Sequence, residues 1–258
     1  MRKQLYRTMI ELTNGRMSSV FFIKFANSNF SRKVIPSFAK KFQIDLTETR
    51  EPVESFQSLH DFFIRELQAG IHQIDDSANS VISPVDAMIE EVGEIYETAP
   101  IIVKGQEYQI AEMLGSEALA AKYLGGTYIV CYLSPKDYHR IHAPVSGTVT
   151  HTDVLGRKSY PVNKAGMKYG NRPLSKNYRQ ITEIKHDQTY VTMVKVGAMV
   201  VNTIVRTHEA NELAKGDEVA YFSFGSTVVL LFEKDHFKLD DRIKSPYPIR
   251  MGERIGVI

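Results

Sequence analysis

The residues of this chain that could do chemistry lie in three short segments. Asp86 follows a Pro-defined turn, His139 and His142 lie three residues apart in a Pro-bounded loop, and Ser226 follows Gly225 inside an apolar run. A carboxylate can orient an imidazole, which then removes the proton of a serine hydroxyl so that the oxygen attacks a carbonyl. The three segments therefore contain the parts of an activated serine, in the chain order Asp, His, Ser.

The residue types alone leave other interpretations open. A Gly-Ser pair inside a strand is most often a bulge or a turn. Two histidines at this spacing could be metal ligands, although no Cys, His or Glu cluster nearby completes a set, so we expect no metal. The chain has no Gly-x-Ser-x-Gly turn, which is unfavourable for an α/β hydrolase. A serine hydrolase using the same triad and a non-enzymatic β module at a membrane surface both remain alternatives.

The part of the chain that must position these residues is rich in strands. From Val81 onward, short β-branched and aromatic runs alternate with Gly, Pro, Asn and Asp, which predicts an antiparallel sandwich or barrel. One helix is expected over Glu112 to Tyr123, and the polar segment from Asn171 to Arg179 is expected to be a mobile loop. The predicted strands are Ile89 to Tyr96, Tyr128 to Leu133, Gly147 to Val154, Thr189 to Val196, Val200 to Arg206, Glu218 to Phe222, Thr227 to Phe232 and Ile255 to Ile258.

Residues 1–78 have a helical pattern and differ in charge from the rest. The first 45 residues carry nine Lys and Arg against two acidic residues, and the same segment contains several phenylalanines. A basic amphipathic helix of this kind is typical of a membrane interface, with a helical cap on the core as the alternative. We therefore predict an α+β protein with a helical, membrane-docking region over 1–78 and a β-rich catalytic core over 79–258. His60 and His72, in and after a helix predicted over 56–67, are expected to be surface or packing residues.

Composition sets the remaining limits. The 258 residues carry a formal net charge of +2, which gives no general reason to expect nucleic-acid binding. Cys131 is the single cysteine, so no disulfide within the chain can form. No stretch reaches the roughly 18 apolar residues that a membrane-spanning helix requires.

Several segments, in this order, resemble the phosphatidylserine decarboxylase family in its shorter bacterial form. The most specific are Asp137-Tyr138-His139-Arg140-Ile141-His142 and Phe224-Gly225-Ser226-Thr227, taken together. The other matching segments are Phe62 to Gly70, Ser83-Pro84-Val85-Asp86, Lys104 to Tyr108, Val196-Gly197-Ala198 and Lys215 to Ser223. The chain departs from the family pattern at Ala87, where the family usually has Gly, and at Tyr178, where it often has Glu.

The resemblance implies that the chain is a precursor that cuts itself between Gly225 and Ser226. Asp86, His142 and Ser226 would act together as in a serine protease, with the Ser226 oxygen forming an ester at the Gly225 carbonyl. Elimination and loss of ammonia would leave a pyruvoyl group at position 226 as a covalent cofactor. The large and small chains would stay together as a heterodimer, and two heterodimers could pair as a homodimer.

The resemblance also implies the reaction and its place. The pyruvoyl carbonyl would form a Schiff base with the amine of phosphatidylserine and take up electrons as CO2 leaves, giving phosphatidylethanolamine. His139 would act as the general acid that supplies the final proton. The enzyme would lie peripherally on the cytoplasmic face of the bacterial cell membrane, where its basic N-terminal segment meets anionic lipid.

Overall fold

The computed structural model describes residues 21–258 apart from 22, 98, 158–159, 163, 199–203 and 224–225. The first 20 residues of the region predicted to be helical, the first half of the strand predicted over Val200 to Arg206, and Gly225 lie outside the described residues. The α-helices are α1 (Ile35–Phe42), α2 (Leu59–Phe63), α3 (Ile110–Leu114), α4 (Glu117–Ala121), α5 (Lys164–Tyr169) and α6 (Pro173–Lys176).

The strands of the described part of the chain pair antiparallel throughout. They are β1 (Ser80–Ile82), β2 (Ala87–Glu94), β3 (Ile101–Val103), β4 (Gln106–Tyr108), β5 (Thr127–Leu133), β6 (Arg140–His142), β7 (Gly147–Leu155), β8 (Arg179–His186), β9 (Thr189–Gly197), β10 (Ile204–Arg206), β11 (Glu212–Leu213), β12 (Glu218–Phe222), β13 (Ser226–Phe232), β14 (Lys238–Leu239), β15 (Tyr247–Ile249) and β16 (Arg254–Val257).

An eight-stranded sheet of order β11-β7-β8-β9-β13-β5-β2-β15 forms the centre of the molecule. Strand β13 lies between β5 and β9, and all seven of its residues are buried. Its near-continuous apolar sequence is what a strand covered on both faces requires. The α+β class with an antiparallel, strand-rich core is confirmed, and the central sheet of the described residues does not close into a barrel.

The two faces of the central sheet pack into separate cores. Val228, Leu230 and Phe232 of β13 point to one face, which also contains Ile141 and Phe222 from a smaller sheet of order β10-β12-β6. Ser226 shares this face because side chains alternate along a strand, and we call it the Ser226 face. The opposite face is covered by α3, α4 and the β3–β4 hairpin. The small sheet therefore carries the His139–His142 segment over the face that holds Ser226.

The segment predicted as a mobile loop over Asn171 to Arg179 is instead ordered and packed. Pro173, Leu174 and Ser175 of α6 are buried, and Arg179 begins strand β8, which the sequence pattern did not indicate. The alternation in β8 is obscured because Thr182 and Glu183 are both buried, each paired with a lysine from another element. Strand β8 was missed because the lysines that allow these polar residues to be buried lie far away in the chain, where a local sequence pattern does not reveal them.

The predicted helices are shorter in the structure than the pattern indicated. The helix expected over 112–123 is divided into α3 and α4 by Gly115, which has a φ of 68° and ends α3 in the left-handed conformation. The helix predicted over 56–67 is reduced to α2. Within the region predicted to be helical, a 3-10 helix over Asn29–Val34 leads into α1, which begins at Ile35 and has Pro36 in its first turn.

The N-terminal phenylalanines serve two different roles. Phe38 and Phe42 pack in a small apolar cluster with Phe56 and Phe62, as a helical cap would. Phe21 and Phe30, in contrast, are 75% and 64% exposed. Within the described residues, no helix is long and apolar enough to cross a membrane. The division of the chain at residue 78 stays a prediction.

Candidate active site

A cavity of about 690 Å3 opens beside the start of β2. Asp86, Asp137 and Tyr138, all from the segments singled out in the sequence, contribute to its wall. Arg65 also lines it, with a side chain only 5% exposed. This cavity is therefore where two of the three chemistry-bearing segments meet.

Asp86 is fixed by a loop that is tied to the histidine segment. The carbonyl of Pro84 accepts a hydrogen bond of 2.8 Å from the backbone N–H of His142. The Asp86 carboxylate oxygen Oδ1 accepts from the Met251 N–H at 2.8 Å and lies 2.8 Å from Nε2 of His72. Ala87, where the family usually has Gly, is the first residue of β2 and has no positive φ, so alanine suits this backbone.

His72 is the residue at this site that the sequence pattern did not reveal. It was expected to be a surface or packing residue, yet its side chain is 8% exposed and pairs with the Asp86 carboxylate. Its ring also lies 4.9 Å from that of Tyr138, centroid to centroid. No local signal in the sequence distinguishes it, because its partner lies 14 residues away in the chain.

His142 is oriented by a tight turn rather than by a carboxylate. Its Nδ1 donates to the carbonyl of Gly216 at 2.7 Å, and Gly216 has a φ of 90° that favours glycine. Its Nε2 lies 3.1 Å from the Tyr138 hydroxyl. Burial lowers the pKa of His142, opposed by the Gly216 carbonyl bond and the Glu218 carboxylate. Neutral His142 therefore presents an acceptor lone pair on Nε2.

His139 is fully buried and has one ring nitrogen in use. Its Nδ1 donates to the Asp137 carbonyl at 2.7 Å, and its ring packs 4.0 Å from that of Phe63. Burial lowers the pKa of His139 to about 3, although the Asp137 bond and the Asp86 carboxylate act in the opposite direction. Among the described residues, Nε2 has no hydrogen-bond partner. This nitrogen is thus a desolvated base.

Ser226 is the first residue of β13 and is fully buried. It pairs with Leu133 of β5 on one side and Gly197 of β9 on the other. Its Oγ, like Nε2 of His139, has no partner among the residues that the structure describes. A buried hydroxyl without a partner costs on the order of 1–3 kcal/mol, which makes it a candidate for a chemical role.

The structure brings part of the predicted triad together. The Pro84–His142 hydrogen bond joins the Asp86 loop to β6, and the Phe222 N–H donates to the His139 carbonyl at 3.0 Å, four residues before Ser226. The Asp86 carboxylate bonds to His72, however, and none of the hydrogen bonds between described residues joins it to His142. The roles of Asp86, His139, His142 and Ser226 stay predictions.

Comparison with known proteins agrees with the motifs. A family model described as "Phosphatidylserine decarboxylase" matches residues 59–257. A "Phosphatidylserine decarboxylase proenzyme" of Geobacillus sp. (strain WCH70) is 54% identical over all 258 residues, covering 100% of both chains. One of the same description from Bacillus cereus (strain ATCC 10987 / NRS 248) is 53% identical over 256 residues, covering 99% of this chain and 98% of the relative.

The fold and the site define a β-rich α+β enzyme with a buried serine and two buried histidines at one end of its central sheet. The chain belongs to the phosphatidylserine decarboxylase family, whose members are carboxy-lyases. The family resemblance and the enzyme class predicted from the sequence are confirmed. The serine hydrolase and the non-enzymatic β module are not favoured.

The buried His139 generates a prediction for stability against pH. An unfolded histidine has a pKa near 6.5, so between about pH 6.5 and pH 3 the unfolded chain binds a proton that folded His139 does not. The free energy of unfolding should therefore decrease as the pH is lowered through this window, by up to about 1.4 kcal/mol per pH unit for this group. In an uncut Ser226→Ala background, His139→Gln should lose less stability than its parent between pH 7 and pH 5, measured by urea unfolding.

His151→Gln, at an exposed position of β7, is the matched control and should retain the parent's pH dependence. His142 contributes in the same direction but is present in all of these chains. Equal pH dependence in the His139→Gln variant and its parent would contradict the burial argument.

Proposed function

We propose that this chain cuts itself between Gly225 and Ser226 and then decarboxylates phosphatidylserine to phosphatidylethanolamine, using a pyruvoyl group derived from Ser226. The observation that carries the proposal is the buried Ser226 Oγ without a described partner, at the start of the central strand. Family membership and the proenzyme names of the relatives support the same conclusion.

The cleavage needs only groups of the chain and one water. As a base takes the Ser226 hydroxyl proton, Oγ bonds to the Gly225 carbonyl carbon, the Gly225–Ser226 C–N bond breaks, and the Ser226 nitrogen gains a proton. Removal of the Ser226 Cα proton then breaks the Cβ–Oγ bond and releases the Gly225 carboxylate. Hydrolysis of the remaining dehydroalanine releases ammonia and leaves a pyruvoyl group at the start of the small chain, residues 226–258.

The surroundings of Ser226 fit such a group. Hydrogen bonding of β13 to both β5 and β9 would hold residue 226 in place after the chain is cut, and residue 226 itself is fully buried. A pyruvoyl group supplies a conjugated carbonyl that accepts the electrons released when CO2 leaves an amine-linked substrate.

We assign Asp86, His142 and Ser226 to cleavage and His139 to proton transfer during decarboxylation. The His142 bond to Gly216 leaves Nε2 as the acceptor that a general base requires. In the uncut chain Nε2 faces the Tyr138 hydroxyl, so that hydroxyl has to move before His142 can reach Ser226. His139 is the second candidate for the base, because its Nε2 has no described partner and its carbonyl binds the Phe222 N–H.

We also propose that residues 1–78 dock the enzyme peripherally on the cytoplasmic face of the cell membrane. Phe30 is exposed and has the Lys33 ammonium 5.1 Å from its ring centroid. Arg32, Lys40 and Lys41 are exposed as well. Apolar rings beside cations suit an anionic lipid surface, where each well-placed cation adds about 1 kcal/mol.

Cleavage is tested on a denaturing gel and by mass spectrometry of the small chain. The unsubstituted protein should give two bands, and residues 226–258 should resist N-terminal sequencing because a pyruvoyl group has no free amine. Ser226→Ala should give one full-length band and no CO2 from phosphatidylserine. Ser175→Ala, which also changes a buried serine, should be cut normally. An uncut protein that still releases CO2 would refute the proposal.

The two histidines should separate into two roles. His142→Ala should remain uncut, since it lacks the base for the first step. His139→Ala should be cut but should release CO2 at least a hundredfold more slowly, in line with the contribution of a positioned proton-transfer group. Gels report the first effect and CO2 release from the cut chains reports the second. The opposite pattern, an uncut His139→Ala and a cut His142→Ala, would exchange the two assignments.

Docking through the N-terminal region predicts that replacing Phe30 weakens binding to membranes. Phe30→Ser should bind phosphatidylserine vesicles several-fold less tightly in a sedimentation assay, because it removes an exposed apolar ring from the interface. Ile102→Ser, at a similarly exposed apolar side chain on β3, should bind as the parent does. Equal losses in both variants would show that general hydrophobicity, rather than the N-terminal region, drives binding.

A further inference from the structure

A second cavity, of about 330 Å3, lies on the Ser226 face of the central sheet. Its floor is formed by β7, β8 and β9, and its rim by the segment that follows β10. Lys195 of β9 lies two residues before Gly197, the residue that pairs with Ser226. Diagonal neighbours of this kind are about 7–8 Å apart. The cavity is thus next to the proposed reacting residue but separate from the cavity that Asp86 lines.

Lys195 is the unusual residue of this cavity. It is 1% exposed, within strand β9, and its Nζ donates to Thr182 Oγ1 at 2.6 Å. An ammonium group has three donors, and this is the one bond that the described residues give it. Burial, and to a smaller extent the positive charge of Arg206, lower the pKa of Lys195 to about 7.

The cavity is lined by two basic side chains, Lys195 and Arg206, and by one carboxylate, that of Glu209. His151 and His208 also line it. Within the described part of the chain, neither Lys195 nor Arg206 forms a salt bridge. The nearby buried Glu183 pairs with Lys122. Lys195 is thus buried without a described ion-pair partner, which makes its charged form costly unless an anion joins it, and the exposed Arg206 adds a second positive charge at the rim.

We propose that this cavity binds a phosphate group, held by the Lys195 ammonium and the Arg206 guanidinium. A phosphate has enough oxygens to accept from both cations and from polar groups of the rim, such as the Asn211 amide. The cavity volume exceeds that of a bare ion, so the phosphate can carry a small organic group. The exposed rim residues, Arg206 and Asn211 among them, leave a path from solvent.

Two sources could supply this phosphate. One is the headgroup of the lipid substrate, in which four bonds separate the amine from the phosphorus; this source rests on the proposed function. The other is a free phosphate compound that binds without being a substrate. The chemistry at Lys195 is the same for both, and kinetics distinguish them.

The site is tested by equilibrium dialysis of the purified full chain against radiolabelled inorganic phosphate, with ionic strength held constant by chloride. The chain should bind about one phosphate saturably, and both Lys195→Met and Arg206→Gln should bind at least tenfold more weakly. Lys185→Met, which removes an exposed lysine from the neighbouring strand β8, is the matched control and should bind as the parent does. Arg206 is exposed, so its variant is expected to fold whether or not Lys195→Met does.

The absence of saturable phosphate binding in the unsubstituted chain, or equal binding by Lys195→Met, Arg206→Gln and the parent, would overturn the proposal. The kinetics of phosphatidylserine decarboxylation in vesicles then distinguish the two possible sources of the phosphate. A several-fold rise of KM in Lys195→Met identifies the lipid headgroup, whereas an unchanged KM with lost phosphate binding identifies a free phosphate compound. Dialysis needs no turnover, so it remains informative if the decarboxylase proposal fails.

Discussion

The burial of β13 on both faces is the constraint on which the rest of the structure depends. Its apolar run cannot face water on either side, so the chain must supply one core from the small β10-β12-β6 sheet and another from α3, α4 and the β3–β4 hairpin. Hydrogen bonds to β5 and β9 then fix Ser226 at the first position of the strand. A reactive residue at this position is held rigidly, because it belongs to a strand that is buried along its whole length and paired on both sides.

That burial also determines the electrostatics of the site. Ser226, His139 and His142 are all buried, so each of their polar atoms either finds a partner or carries a cost. His142 is satisfied by Gly216 and Tyr138, and Asp86 by His72 and Met251. Ser226 and His139 retain unpartnered atoms among the described residues. Two residues to which we assign chemical roles are thus among the few described residues that keep an unpartnered buried polar atom.

The geometry of the uncut chain bears on how the steps are ordered. Tyr138 contacts both His72 and His142, so it separates the carboxylate of Asp86 from the imidazole that a serine triad would place beside it. If cleavage uses His142, a movement of Tyr138 precedes it.

The sequence by itself determined the elements whose signal is local. The bounds of the strand Glu218 to Phe222 were predicted as observed, β13 was predicted to within one residue, and the segments carrying Asp86, the two histidines and Ser226 identified the family. Tertiary structure decided the features that depend on partners far apart in the chain: strand β8, the pairing of His72 with Asp86, and the burial of Lys195 against Thr182. The physical reason is desolvation. A local pattern shows which side chains are charged or polar, but whether such a group can be buried depends on the charges and hydrogen-bond partners that the folded chain brings to it.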